Sequence, residues 1–124
     1  MLTTMRRRNR QKKESHKLSE HFSKRDFTCK ESNKCRISLG LVGALELMRS
    51  RCKNRINIIK GYESLEVAEK KGKAKRNYHT MGLAADIQID NLSSIETFQL
   101  AESITEIMGI GLNLDEDYVH MTLA

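Results

Sequence analysis

The chain has 124 residues, enough for one compact domain with one modest core. Hydrophobic residues make up 39% and charged residues 31%, which excludes wholesale disorder, and no apolar run approaches the roughly 20 residues of a membrane span. The net charge of +6 is not spread evenly: residues 1–17 hold seven Lys or Arg against Glu14 alone, so the remainder balances.

That basic run (Arg6, Arg7, Arg8, Arg10, Lys12, Lys13 and Lys17) has almost no apolar content and reads as a flexible arm. Its charge suits long-range attraction to nucleic acid, anionic lipid or an anionic cell-wall polymer, and suits a merely solvated tail equally well. No apolar stretch follows it, so it does not read as a secretory signal. Residues 18–124 form the domain. Its first segment, Leu18 to Cys29, offers Phe22 and Phe27 as anchors among polar residues and reads as an extended stretch or short helical turn laid over the core. His21 beside Phe22 reads as a surface or packing residue. Cys29, Cys35 and Cys52 read as reduced, partly buried thiols; a Cys29–Cys35 bridge would need an oxidising compartment.

Ile37, Leu41, Ala44, Leu45, Met48 and Cys52 recur at three- and four-residue steps, which predicts an amphipathic helix over 36–52 with a cationic last turn. Ile56 to Ile59 predicts a buried strand ended by Gly61. Residues 64–71 suit a short helix, and the basic segment 70–76 an exposed loop. Ala84 to Ile89 predicts a strand with Ala85, Ile87 and Ile89 on the core face and Asp86 turned to a cleft. Ser93 or Ser94 is the expected cap of a helix running to about Met108, where Gly109 stops it. Ile110 to Leu114 and Tyr118 to Leu123 predict a hairpin with an acidic turn, His120 on its polar face and Val119 and Met121 on the other. With no repeat and no low-complexity linker, one α+β domain results, an antiparallel sheet packed against helices.

Both polar faces thus carry a metal-binding residue type. Asn77-Tyr78-His79-Thr80-Met81-Gly82-Leu83-Ala84-Ala85-Asp86 places a His and an Asp seven positions apart, with Gly82 to turn the backbone between them. Asp115-Glu116-Asp117-Tyr118-Val119-His120 adds a second imidazole. His79, Asp86 and His120 would hold zinc through three ligands and leave a fourth position for water, the arrangement of hydrolytic rather than structural sites. Taken singly, each residue is commoner as a hydrogen-bonded core or turn residue. The spacing and the facing strands are what point to metal.

The same residues resemble the zinc-dependent D-Ala-D-Ala carboxypeptidase family of bacterial cell-wall peptidases. The likeness runs from Leu18 to Ala124 and is closest to the compact branch of bacteria and prophages, with a small fold shared with the Hedgehog signalling domain. It implies a monomeric zinc metallopeptidase acting on peptidoglycan stem peptides, as a D,D-carboxypeptidase or an endolysin-type endopeptidase. It also implies that Asp117, three residues before the last histidine, is the general base. Such a substrate lies outside the cytoplasm while no export signal is visible, which leaves the location open: release through a phage-made membrane lesion would reconcile the two, as would a misassigned start. Three positions depart from the family. Glu63 stands where an Arg usually follows Gly-Tyr, Asn77 stands where Ser is common, and Thr122 stands where Asp is frequent. Asn77 keeps hydrogen-bonding capacity as a substrate contact, and Arg76 is the candidate to supply the missing cation. Glu63 favours an alternative, a catalytically impaired, zinc-stabilised cell-wall-binding module. Nucleic acid is the weaker partner, because the domain is neutral and only 5% of residues are aromatic.

Overall fold

The computed structural model describes residues 16–124. The elements run α1 (Lys24–Phe27), α2 (Leu39–Cys52), β1 (Ile56–Lys60), α3 (Leu65–Lys70), β2 (Ala84–Ile89), α4 (Ser94–Glu102), β3 (Gly109–Asn113) and β4 (Tyr118–Thr122). The strands form one antiparallel sheet in the order β1-β2-β4-β3. This is the expected α+β arrangement. The proposed basic arm lies outside the described residues except for His16 and Lys17, and Lys17 bridges to Ser23.

The core forms where the predicted apolar faces meet. Ala85, Ile87 and Ile89 of β2 join Val119 and Met121 of β4 and Leu41, Val42, Ala44, Leu45 and Met48 of α2 in one buried cluster. Phe22 and Phe27 are both buried in it, with ring centroids 6.0 Å apart, so they anchor the first segment as expected. His21 is bound to Glu46, which accepts from its backbone amide and contacts Nδ1, both at 2.7 Å. All three cysteines are free thiols, with Cys29 buried.

Two boundaries differ from the sequence reading. Helix α2 starts at Leu39, not residue 36, because the Ser38 side chain caps it by accepting from the Gly40 amide. Helix α4 starts where expected, with Ser93 and Glu96 closing a reciprocal capping box. It stops at Glu102 rather than Met108. Arg51 of α2 reaches across to the Ser103 carbonyl and hydroxyl at 3.1 Å, and Ser103 donates to Leu100. The chain must then return to the sheet, where the Met108 amide already bonds Thr122. Ile104 and Ile107 enter the core from successive turns, and Gly109 opens β3 instead of ending a helix.

Gly61 sits where β1 passes Phe27. A Cβ there would lie 2.6 Å from the Phe27 Cα and 2.8 Å from its carbonyl oxygen. Both are backbone or near-backbone atoms that cannot move aside. Gly61→Ala should therefore cost about 1–3 kcal/mol, seen as a lower urea midpoint at unchanged denaturant slope. An unchanged midpoint would show that this approach is looser than it looks.

Candidate metal centre

Each of the three expected ligands is delivered by a different device. Asp86 and His120 are direct cross-strand partners in the β2–β4 ladder, so their side chains leave the same face side by side. His79 arrives from the turn before β2, which is pinned from within. The buried Thr80 hydroxyl donates to the Lys75 carbonyl at 2.8 Å and accepts from the Asn77 amide at 3.0 Å. Asn77 Oδ1 accepts from the Thr80 amide, and Nδ2 donates to Ala74. Gly82 makes the turn with φ +71, and a Cβ there would meet the Arg36 carbonyl oxygen at 2.6 Å. Its own carbonyl accepts from the Ser38 amide, tying the loop to the start of α2. Only glycine fits both the conformation and the close approach.

The result is a convergence of donor atoms. His79 Nε2 lies 3.3 Å and His120 Nδ1 2.7 Å from Asp86 Oδ1, and the two imidazole centroids are 5.1 Å apart. One ligand atom from each residue lies within 4.8 Å of the others. Metal donors about 2 Å from a shared zinc sit roughly 3.4 Å from one another. The His79–Asp86 separation already matches, and the His120–Asp86 hydrogen bond would need to open by roughly half an ångström. The second nitrogen of His79 contacts the Gly61 carbonyl oxygen at 2.8 Å. That carbonyl favours the proton on Nδ1 and leaves the Nε2 lone pair facing the centre. The residues fit a metal ion with an open coordination position.

Asp86 is only 7% exposed. Burial pushes its carboxyl upward, but hydrogen bonds to His120 and His79, with their charge, outweigh that and hold it at about 2, below the ordinary 3.8. A carboxyl depressed on folding stabilises the fold above its ordinary value, and that stabilisation disappears as pH falls through the folded value. The metal-free protein should therefore lose stability between about pH 4 and 2. A urea midpoint series should show a shallower fall over that window in Asp86→Asn; an identical slope would remove the effect.

The remaining candidates are spread around the centre. Asp117 occupies the turn before β4, exposed, with left-handed backbone (φ 56), as the reading of a strand starting at Tyr118 required. Its backbone carbonyl accepts from Gln88 Nε2 at 2.7 Å, from the same strand that carries Asp86. Glu116 lines a cavity of about 320 Å³ that reaches Asp86. A second cavity, of about 360 Å³, shares Lys60 and Glu63 with the first and is bordered also by Asn77, His79, His120 and Lys73. Arg76 stays exposed on the loop. A further cavity, about 910 Å³ and lined by Lys24, Arg25, Lys34 and Tyr62 among others, contains none of the three ligands.

Lys60 and Lys73 were not legible as site residues. A β-bulge between Ile58 and Lys60 shifts the β1 register so that Lys60, not Ile59, stands opposite Asp86. The hint in the sequence was a Lys and a Glu three residues apart around Gly61-Tyr62. Glu63, the departure that counted against activity, is 1% exposed and faces Lys60 Nζ at 3.0 Å, Lys73 Nζ at 3.5 Å and Lys71 Nζ at 3.6 Å. Burial raises its carboxyl, but Lys60 and then Lys73 hold it below the usual range. The charge it brings is thus answered locally.

A family model described as peptidase M15 matches residues 15–122. None of the curated proteins compared with the chain matches it. The match spans both strands and the loop that carry the triad, together with the acidic turn. The chain belongs to the M15 peptidases, the zinc D-Ala-D-Ala carboxypeptidase family.

Proposed function

We propose that the protein is a zinc-dependent peptidase of peptidoglycan stem peptides, a D,D-carboxypeptidase or an endolysin-type endopeptidase. The observation that carries this reading is the convergence of His79 Nε2, Asp86 Oδ1 and His120 Nδ1 on one point beside two open cavities. Zinc bound there would polarise the scissile carbonyl and lower the pKa of water to about 7. The chain's own groups do the rest. Gly61 orients His79, and the Asp86 carboxylate offsets part of the metal's charge. Asp117 takes the proton from the attacking water and hands it to the leaving amine nitrogen, with Glu116 and Asp115 the neighbouring acids of the same turn.

The binding-module alternative rested on Glu63 repelling an anionic substrate. Three lysines around that carboxylate weaken the objection. Purified protein incubated with muropeptides should cleave them and stop when a chelator removes the metal. Cleavage indifferent to chelation would overturn the proposal, and zinc and muropeptide binding without cleavage would favour the module.

A further inference from the structure

The cavity of about 910 Å³ takes no part in the scheme above, and its charge is one-sided. Lys24, Arg25 and Lys34 stand on its wall with His16, and among the described residues no acid does. Among the same residues, neither Lys24 nor Arg25 is in an ion pair. Lys34 is paired with Glu66, an exposed contact that an anionic ligand can displace at little cost. Asp26, the acid next to Arg25, is already engaged, accepting from the Ser23 amide at 2.8 Å. Residues 1–15 join the chain at His16 and bring six more Lys and Arg against Glu14.

Shared walls fix this cavity beside the metal cleft. Thr28 and Tyr62 border both it and the cavity that reaches Asp86. The Tyr62 amide donates to the Phe27 carbonyl at 2.8 Å, and Phe27 is fully buried. Gly61, whose carbonyl contacts His79, packs against the same Phe27. The short helix carrying Lys24 and Arg25 is thus tied to the segment that orients a metal ligand. Whatever those cations hold lies next to the cleft without entering it.

The cation types point to phosphate. A guanidinium grips phosphate oxygens with two parallel N–H donors, and each lysine adds a point charge. A single phosphate would leave most of about 910 Å³ empty, whereas successive units of a charged polymer fill it. Nucleic acid also repeats phosphates, but its unpaired bases stack on successive aromatic rings. Among the described residues Tyr62 is the one Phe, Tyr or Trp of this wall. We propose that Lys24, Arg25 and Lys34 bind a phosphodiester polymer attached to the cell wall, which holds the protein beside the peptides it cuts. The choice of a wall polymer over nucleic acid rests in part on the peptidase reading, and the anion site itself rests on the cavity.

The test titrates poly(glycerol phosphate) calorimetrically into the full chain, at low and at physiological salt. A single-stranded oligonucleotide with the same number of phosphates is the comparison. The parent should bind the wall-type polymer more tightly than the oligonucleotide, and added salt should weaken both. Lys24→Gln with Arg25→Gln should weaken polymer binding about 10-fold. Both side chains are exposed, and Thr28 bonds the backbone carbonyl of Lys24, so the fold should persist, which circular dichroism verifies. Lys34→Gln reads the same site independently and should cost about 3-fold. Lys53→Gln with Arg55→Gln removes as much charge before the opposite end of β1 and should cost less than about 2-fold. A parent that ignores the polymer overturns the site. So does an equal loss in the two double variants, which is attraction by net charge alone. An oligonucleotide that binds the parent more tightly, with the same loss in the cavity variants, overturns the wall assignment in favour of nucleic acid. Cleavage of muropeptides free of the polymer is followed separately. Polymer binding without cleavage supports the site and sinks the peptidase, whereas cleavage without polymer binding does the reverse.

Discussion

Asp86→Ala is expected to lower zinc affinity by at least about 100-fold and to remove most of the stabilisation that zinc gives the fold. Asp86 is the centre of the triad, since both imidazoles reach its Oδ1 and do not contact each other through nitrogen. Without it two neutral ligands remain, and no carboxylate offsets the charge of the ion. The fold itself should survive, because the core lies on the other face of the sheet, with Ala85, Ile87, Val119 and Met121. Ligand linkage gives a readout independent of catalysis. Zinc at 1,000 times its Kd stabilises a binding-competent fold by about 4.1 kcal/mol. The parent should therefore melt higher with zinc than without, and Asp86→Ala, His79→Ala and His120→Ala should each keep at most about a third of that rise, since a 100-fold weaker site at the same zinc concentration contributes about 1.4 kcal/mol. A zinc-dependent rise in Tm as large in Asp86→Ala as in the parent would show that the ion binds elsewhere.

The parts of this centre that were legible in the sequence are those set by local periodicity. Alternation along residues 84–89 and 118–122 placed Asp86 and His120 on polar faces, and antiparallel pairing then made them neighbours. Gly82 announced a tight turn, and Ser93 or Ser94 announced a helix start. What escaped depends on distant partners. No local signal says that Arg51 will cap the end of α4 fifty residues on, so the apolar positions Ile104 and Ile107 read as more helix. The bulge in β1 is equally silent, because Ile56 to Ile59 reads as a plain buried run whichever residue faces Asp86. Glu63 looked like a reversed charge for the same reason. Its meaning lies in Lys60, Lys71 and Lys73, and only the folded chain brings those ammonium groups to one oxygen.

Asp117→Asn should lower kcat by about 100- to 10,000-fold while leaving zinc content and melting temperature near those of the parent. The substitution is chosen to separate chemistry from structure. Residue 117 has φ 56, a conformation that Asn adopts about as readily as Asp, so the turn should keep its shape. The one hydrogen bond that ties the residue to β2 runs through its backbone carbonyl to Gln88, which the change leaves intact. What is lost is a carboxylate able to accept a proton, three residues before His120. KM should move little, because the side chain is assigned proton transfer and no part in binding. Glu116→Gln is the companion variant, since Glu116 lines the cavity that reaches Asp86. If Asp117→Asn keeps its turnover and Glu116→Gln loses it, the proton passes through the neighbouring acid and the assignment moves by one residue. If the parent binds zinc and muropeptides yet cleaves nothing, neither acid has a proton to carry, and the protein uses the family's metal cleft to hold wall peptides.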